Sequence, residues 1–270
     1  MKMLLDQGKY GEVHKHSDTL AVKRILMKDR KVFNNETLMG VLTQNFQHTI
    51  QVRKCYIENS VGCLVMDLAH SNLFHVLSTL DVQEHVLIPL FRTLCQAVEE
   101  LHDHNIAHLD LKLENVLFTT DGELKLCDFG CALETKEGET LPVPKHKVGS
   151  PVYCAPELGF GTEYQPMKAD MWSLGVILHL LLVDAFPVKQ MAPYISSDNI
   201  QLSFLDQVSP AAKDLVTRLL DFNPHDRPSI KEVLQHPWLS RRNERRRSSA
   251  STVHKMKSKL VKCLPKIAQL

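Results

Sequence analysis

The sequence predicts an α+β protein, with a small β-rich unit first and a larger, mainly helical part after it. Two observations carry this. Over residues 1–69 the apolar residues fall in short strand-like runs around one helical stretch, whereas from about residue 85 they recur every three or four positions. A chain of 270 residues, 44% hydrophobic and 23% charged, fits one large domain or two lobes with a sizeable core.

In chain order, "YGEVHKH" and "TLAVKRIL" read as strands, "NNETLMGVL" has helical spacing, and "VGCLVMDLA" reads as a strand. Val86, Leu90, Leu94, Val98 and Leu101 then predict an amphipathic helix over about 85–104, leading into the loop "NIAHLDLKLENVLF" at 105–118. "NVLFTT" and "LKLCDF" are two short strands joined by the turn Asp121-Gly122. Residues 168–183, "KADMWSLGVILHLLLV", are apolar nearly all round but too short to span a bilayer comfortably, which predicts a buried central helix. Ser209-Pro210 and Pro228-Ser229 supply start signals for helices near 210–221 and 229–235.

The net charge of +1 hides an asymmetry: residues 241–270 hold ten Lys or Arg against one Glu, leaving 22 basic and 30 acidic residues in 1–240. A basic tail hangs on an acidic body. Seven Cys without a CxxC pair, and 14 dispersed His, predict neither disulfides nor a zinc or His-ligated metal site. No long uncharged apolar run and no signal-peptide pattern stand out, so a cytoplasmic or nuclear protein is expected.

"HLDLKLEN" offers a carboxylate, an ammonium and an amide within six residues, which suits a base, a phosphate partner and a metal ligand. Alone this is weak, because such residues crowd ordinary loops. Order makes it specific. "DQGKYGEV" stands at 6–13, "AVK" at 21–23, "DFG" at 128–130, "APE" at 155–157 and "DMWSLGV" at 170–176. Over about residues 4–239 this series resembles the eukaryotic protein kinase family, and "SLGVIL" and "RPSIKEVLQHPWL" resemble its calcium/calmodulin-dependent and AMP-activated group.

The resemblance implies a bilobal protein kinase fold, with an N-lobe over 1–69, a C-lobe over 70–240 and a basic tail over 241–270, using ATP and Mg²⁺. Asp128 matches the ligand of the bridging Mg²⁺ and Asn115 that of the second. Asp110 matches the residue that takes the substrate hydroxyl proton. Lys112, two residues on, matches the lysine that contacts the transferred group in serine/threonine kinases. Lys23 matches the strand lysine that grips the α and β phosphates and Glu36 its helix partner, at an unusually short spacing. Gly8 and Gly11 match the glycine-rich loop, followed by Val13 and Ala21. Met66 matches the gatekeeper, the backbones of Asp67 and Ala69 match the adenine-facing hinge, and Leu117 completes the nucleotide set.

Several positions depart from the family. Asp6 replaces the first glycine of the loop. Leu109 replaces the arginine that receives an activation-loop phosphate, implying no reliance on such phosphorylation; Thr135 and Thr140 are the acceptors between Cys131 and Val148. Gly40 replaces a bulky apolar residue that stacks toward Phe129 and His108, with Met39 beside it as the substitute. Asp6 and Gly40 also motivate an alternative, a pseudokinase acting as a nucleotide-binding or scaffold protein. Architectural matches are Asp170 under the catalytic loop, Arg227 with Glu157, and Ser150 near the substrate. Asn72 weakens a preference for Arg three residues before the acceptor, while Glu114 leaves room for a basic residue two before it.

The expected partners are protein substrates, with no specific nucleic acid, and the chain is expected to be a monomer. The tail reads as a solvated or nuclear-import segment. Met256, Leu260, Leu264 and Ile267 also fall at helical spacing among lysines, which suits an acidic partner, a calmodulin-like groove, a membrane surface or the acidic body itself. Ser248 and Ser249 follow an arginine run as phosphoacceptors.

Overall fold

Valine, isoleucine and cysteine at alternating positions build the first layer, an antiparallel sheet. In the computed structural model its strands are β1 (Leu4–Gln7), β2 (Gly11–Lys15), β3 (Leu20–Leu26), β4 (Val52–Glu58) and β5 (Val61–Asp67), in the order β1-β2-β3-β5-β4. Helix α1 (Arg30–Leu42) lies between β3 and β4 in the chain. The residues described are 3–8, 10–77, 83–145, 148–187, 200, 202, 204 and 208–240; the tail features expected over 241–270 lie outside them.

The sheet buries apolar groups on two faces. Val22, Cys63 and Val65 form one cluster, and Ile25 and Leu64 form another with Phe33 of α1. Gly62 lets Phe33 lie flat on β5, since a Cβ there would stand 2.4 Å from its Cδ2. Asn59 and Ser60, at φ 48° and 61°, make the two-residue turn that joins β4 to β5. Neither β1 nor β4 is among the sequence expectations. Both are largely exposed strands with no continuous apolar run, and the Asn59-Ser60 turn is the signal that marks β4.

The second part begins with β6 (Ser71–Asn72), α2 (Leu73–Leu77) and the 20-residue α3 (Glu84–Asp103). Short strands follow: β7 (Ile106–Ala107), β8 (Val116–Phe118), β9 (Leu124–Leu126), β10 (Leu133–Glu134) and β11 (Leu141–Pro142). Then come α4 (Glu157–Phe160), β12 (Glu163–Tyr164), α5 (Pro166–Val183), α6 (Pro210–Leu219), α7 (Ile230–Gln235) and α8 (Pro237–Ser240). The turn expected at Asp121-Gly122 brings Phe118 opposite Leu124, with Gly122 at φ 77°.

Helix α5 is the central helix anticipated. Its hydropathy would suit a membrane span, yet Trp172, Leu174, Val176, Ile177 and Leu178 are wholly buried in the protein core. Gly175 permits close contact with α6, because a Cβ there would stand 2.8 Å from the Leu219 Cβ. Ser209 caps α6 by accepting from the Ala212 N–H, and Ser229 with Glu232 forms a reciprocal cap on α7.

Candidate active site

The loop after α3 is shaped from below by a buried carboxylate. Asp170 of α5 is fully buried and accepts the backbone N–H of His108 (2.8 Å) and of Leu109 (2.8 Å), and faces His102 Nε2 at 3.0 Å. These contacts hold Leu109 at φ 60°, a conformation that costs an L residue about 1–2 kcal/mol. The Leu109 side chain is itself buried in the main core. Glu157 and Arg227 form a two-armed buried pair (2.7 and 2.8 Å), with the guanidinium 5.0 Å from the Trp172 ring centre.

The next residue, Asp110, is therefore aimed by backbone rather than by chance. Its Oδ2 is 3.0 Å from Lys112 Nζ and accepts from Asn115 Nδ2 (3.2 Å), which also donates to the Asp110 carbonyl (2.8 Å). Lys112 donates further to Ser150 Oγ (2.9 Å). Asp110 Oδ1 is buried and has no hydrogen-bond partner among the described residues. A buried acceptor left open is costly in a finished core and suits a site awaiting a hydroxyl.

A second cluster comes from the sheet. Lys23 Nζ on β3 donates to Glu36 Oε1 of α1 (2.7 Å) and to Asp128 Oδ1 (2.9 Å). Burial alone depresses the Lys23 ammonium, but the two carboxylates outweigh it and raise its pKa above the ordinary value. Burial pushes Glu36 up to about 7, opposed by Lys23 and assisted by Asp128. For Asp128 burial is again the largest influence, but attraction to Lys23 overrides it and holds the carboxyl below its usual range. Lys112 is raised because Asp110, with help from Asp128, overcomes desolvation, so the two clusters share one electrostatic field.

Asp128 sits at φ 64°, ψ 71° at the start of its turn. Asn35, which no spacing rule in the sequence singles out, fixes that turn: its Nδ2 donates to the carbonyls of Phe129, Gly130 and Ala132 at 3.0, 3.2 and 2.8 Å. The Phe129 ring lies 5.0 Å from that of His108. Gly40 proves to be no vacancy. A Cβ there would stand 2.9 Å from Val52 Cγ2, so the glycine lets α1 close on β4, while Met39 is buried in the cluster that holds Phe129. Of the two acceptors in this segment, Thr135 is buried and donates to Glu139 Oε2 (3.1 Å), whereas Thr140 is exposed.

The residues proposed for the nucleotide fall on neighbouring strands and the segments that join them. Val13 pairs with Lys23 and Ala21 with Met66 across neighbouring strands, and Leu117 is the half-buried residue of β8 between buried neighbours. Leu68 N–H goes to Thr19 and His70 N–H to Phe118, whereas the Ala69 backbone between them makes no such bond. Asp67 turns its side chain to Arg53 (2.7 Å to each oxygen), and its N–H is taken by Gln51. Gly8 N–H closes a turn on the Gly11 carbonyl (2.9 Å) and so is not free to meet a phosphate, although a Cβ there would find open space. Gly11 answers to packing, since a Cβ would stand 2.2 Å from the Arg24 carbonyl oxygen.

The donor set fits a triphosphate and Mg²⁺. Among the described residues no hydrogen bond engages Asn115 Oδ1 or Asp128 Oδ2, and one or two such ligands plus phosphate oxygens satisfy this cation.

A family model described as protein kinase domain matches residues 2–239. The chain is 30% identical over 249 residues to "CBL-interacting serine/threonine-protein kinase 15" of Arabidopsis thaliana, covering 87% of this chain and 59% of that one. It is 32% identical over 196 residues to "Serine/threonine-protein kinase 17A" of Oryctolagus cuniculus (68% and 47%), and 32% over 184 residues to "Sperm motility kinase 3A" of Mus musculus (66% and 36%). The chain thus spans roughly a third to three fifths of the length of these curated relatives.

Proposed function

The chain belongs to the protein kinase family, and from that premise we propose that it transfers the γ-phosphoryl group of ATP to serine or threonine hydroxyls of proteins. The observation that carries the reading is Asp110 Oδ1, buried and without a partner while its sister oxygen is fixed by Asn115 and Lys112.

Phosphoryl transfer asks for alignment and charge neutralisation more than covalent help. Lys23, oriented by Glu36, holds the α and β phosphates, and the open Ala69 backbone receives the adenine edge. Asn115 and Asp128 would hold Mg²⁺, which when bound would neutralise phosphate charge. Asp110 Oδ1 accepts the hydroxyl proton of the substrate, aligning its oxygen for attack. Lys112, already between Asp110 and Ser150, neutralises the moving phosphoryl oxygens. Exposed Glu114 favours a basic residue two positions before the acceptor. The packing role of Gly40 supports this catalytic reading over a scaffold without activity.

Transfer from labelled ATP to a positional peptide library tests it. Asp110→Asn should lower kcat by about 10²–10⁴-fold. Asp128→Ala should abolish transfer, and labelling should fall on Ser and Thr rather than Tyr. Wild-type protein that binds ATP but transfers nothing would establish the scaffold reading instead.

A further inference from the structure

A groove of about 610 Å³ opens along α3, bordered by the Gln47-His48 loop and the β8–β9 turn, and contains none of the proposed catalytic, metal or nucleotide residues. Its floor is apolar, from Leu90, Phe118 and Leu124. Its rim is acidic. Among the described residues Glu99 feels the Lys231 ammonium only at longer range, and Glu100 holds the Gln47 and His48 backbone N–H groups (2.7 and 3.0 Å). Asp103 and Glu123 are matched by Lys231 (2.8 Å) and Lys125 (3.4 Å). The rim therefore carries four carboxylates against two lysines, an excess of negative charge beside an apolar floor.

The chain carries a complement to it. Residues 253–267, "VHKMKSKLVKCLPKI", contain five lysines and no acid, with Met256, Leu260 and Leu264 four apart. The described chain ends at Ser240 beside this same helix: Trp238 meets Phe91 of α3 edge to face (ring centres 5.8 Å apart) and donates to Glu84 (2.8 Å). Helix α3 is about 30 Å long. The residues between 240 and 253 reach up to about 40 Å, so the segment can reach any point along the helix. Tethering also raises its local concentration to about the millimolar range.

We propose that residues 253–267 dock in this groove within the same molecule, apolar side chains on the floor and lysines toward Glu99 and Glu100. Attraction of this kind is screened by salt, and it is set apart from catalysis because no catalytic group takes part.

Zero-length carbodiimide coupling of the full-length protein, followed by peptide mass spectrometry, tests the proposal on a mixture of ordinary and ¹⁵N-labelled chains. Lysines 255–262 should couple to Glu99 or Glu100 within one isotope only. Glu99→Lys should lower the coupling to Glu100 about tenfold, and adding Lys259→Glu should restore most of it. Absence of coupling between tail and groove overturns the proposal, as do mixed-isotope products, which would make the occupant a second copy. Tail lysines that become protected from acetylation only on phosphatidylserine vesicles or with calcium-loaded calmodulin would also overturn it, in favour of an external surface.

Discussion

Leu109 and Glu36 show how single residues shape the site. An arginine at position 109 would present a guanidinium to an activation-loop phosphate; leucine instead packs into the core, and Asp170, Asn115 and Lys112 hold the loop. Thr135 is already buried, so Thr140 is the exposed acceptor in the segment. Thr140→Ala should therefore leave kcat within about twofold of wild type in a peptide assay, because no pocket of this kind awaits its phosphate. Glu36 behaves differently. Its pKa, raised by burial from 4.5 to about 7, means that the folded protein holds this proton more tightly than the unfolded chain. Its stabilising contribution is complete below about 4.5 and is lost as pH rises through about 7, over the range in which the ionised partner of Lys23 appears. Between pH 6 and 8, kcat/KM for ATP should rise with a midpoint near 7 while the melting temperature falls slightly. Glu36→Gln should flatten both trends, and what persists in that variant is the titration of ATP itself.

At the level of elements, α1 is set by two neighbours, β4 at Gly40 and the turn after Asp128 at Asn35. Gly40→Leu must push Val52 away or tilt the helix, and overpacking of this kind costs about 1–3 kcal/mol. Chemical denaturation should register that loss, together with a higher KM for ATP as Glu36 is drawn from Lys23. A variant as stable and active as wild type would mean that α1 tolerates the shift. Much of this architecture was legible beforehand. Helices α3, α6 and α7 carry apolar spacing or start signals, and α5 is apolar enough to declare itself buried. Lys23, Asp110, Asn115 and Asp128 were legible because they stand in ordered motifs. Strand β4 was not, since most of its side chains face solvent and leave no pattern. Asn35 was not either: its three acceptors are backbone carbonyls 94–97 positions away, and a carbonyl has no letter in the sequence. Gly40 looked like a loss because the side chain that crowds it lies on that same unrecognised strand.

Across the whole molecule, the cleft joins groups from both parts of the chain. Lys23 and Glu36 arrive from the sheet and α1, while Asp110, Asn115 and Asp128 come from the loops below. The Lys23–Asp128 contact at 2.9 Å ties the two together. A ligand that bridges them binds the folded state and not the unfolded chain, so it must raise the melting temperature. At a hundredfold excess over its Kd the gain is about 2.7 kcal/mol. For a chain of this size that is about 5–10 °C or somewhat less. The variants should separate binding from chemistry. Asp110→Asn leaves the phosphate and metal ligands in place, so ATP with Mg²⁺ should still raise its melting temperature although transfer is lost. Asp128→Ala removes both a proposed Mg²⁺ ligand and the tie to Lys23, and its shift with ATP and Mg²⁺ should collapse. If Asp110→Asn lost the thermal shift as well, Asp110 would belong to nucleotide binding, and its open oxygen would no longer mark the place of the attacking hydroxyl.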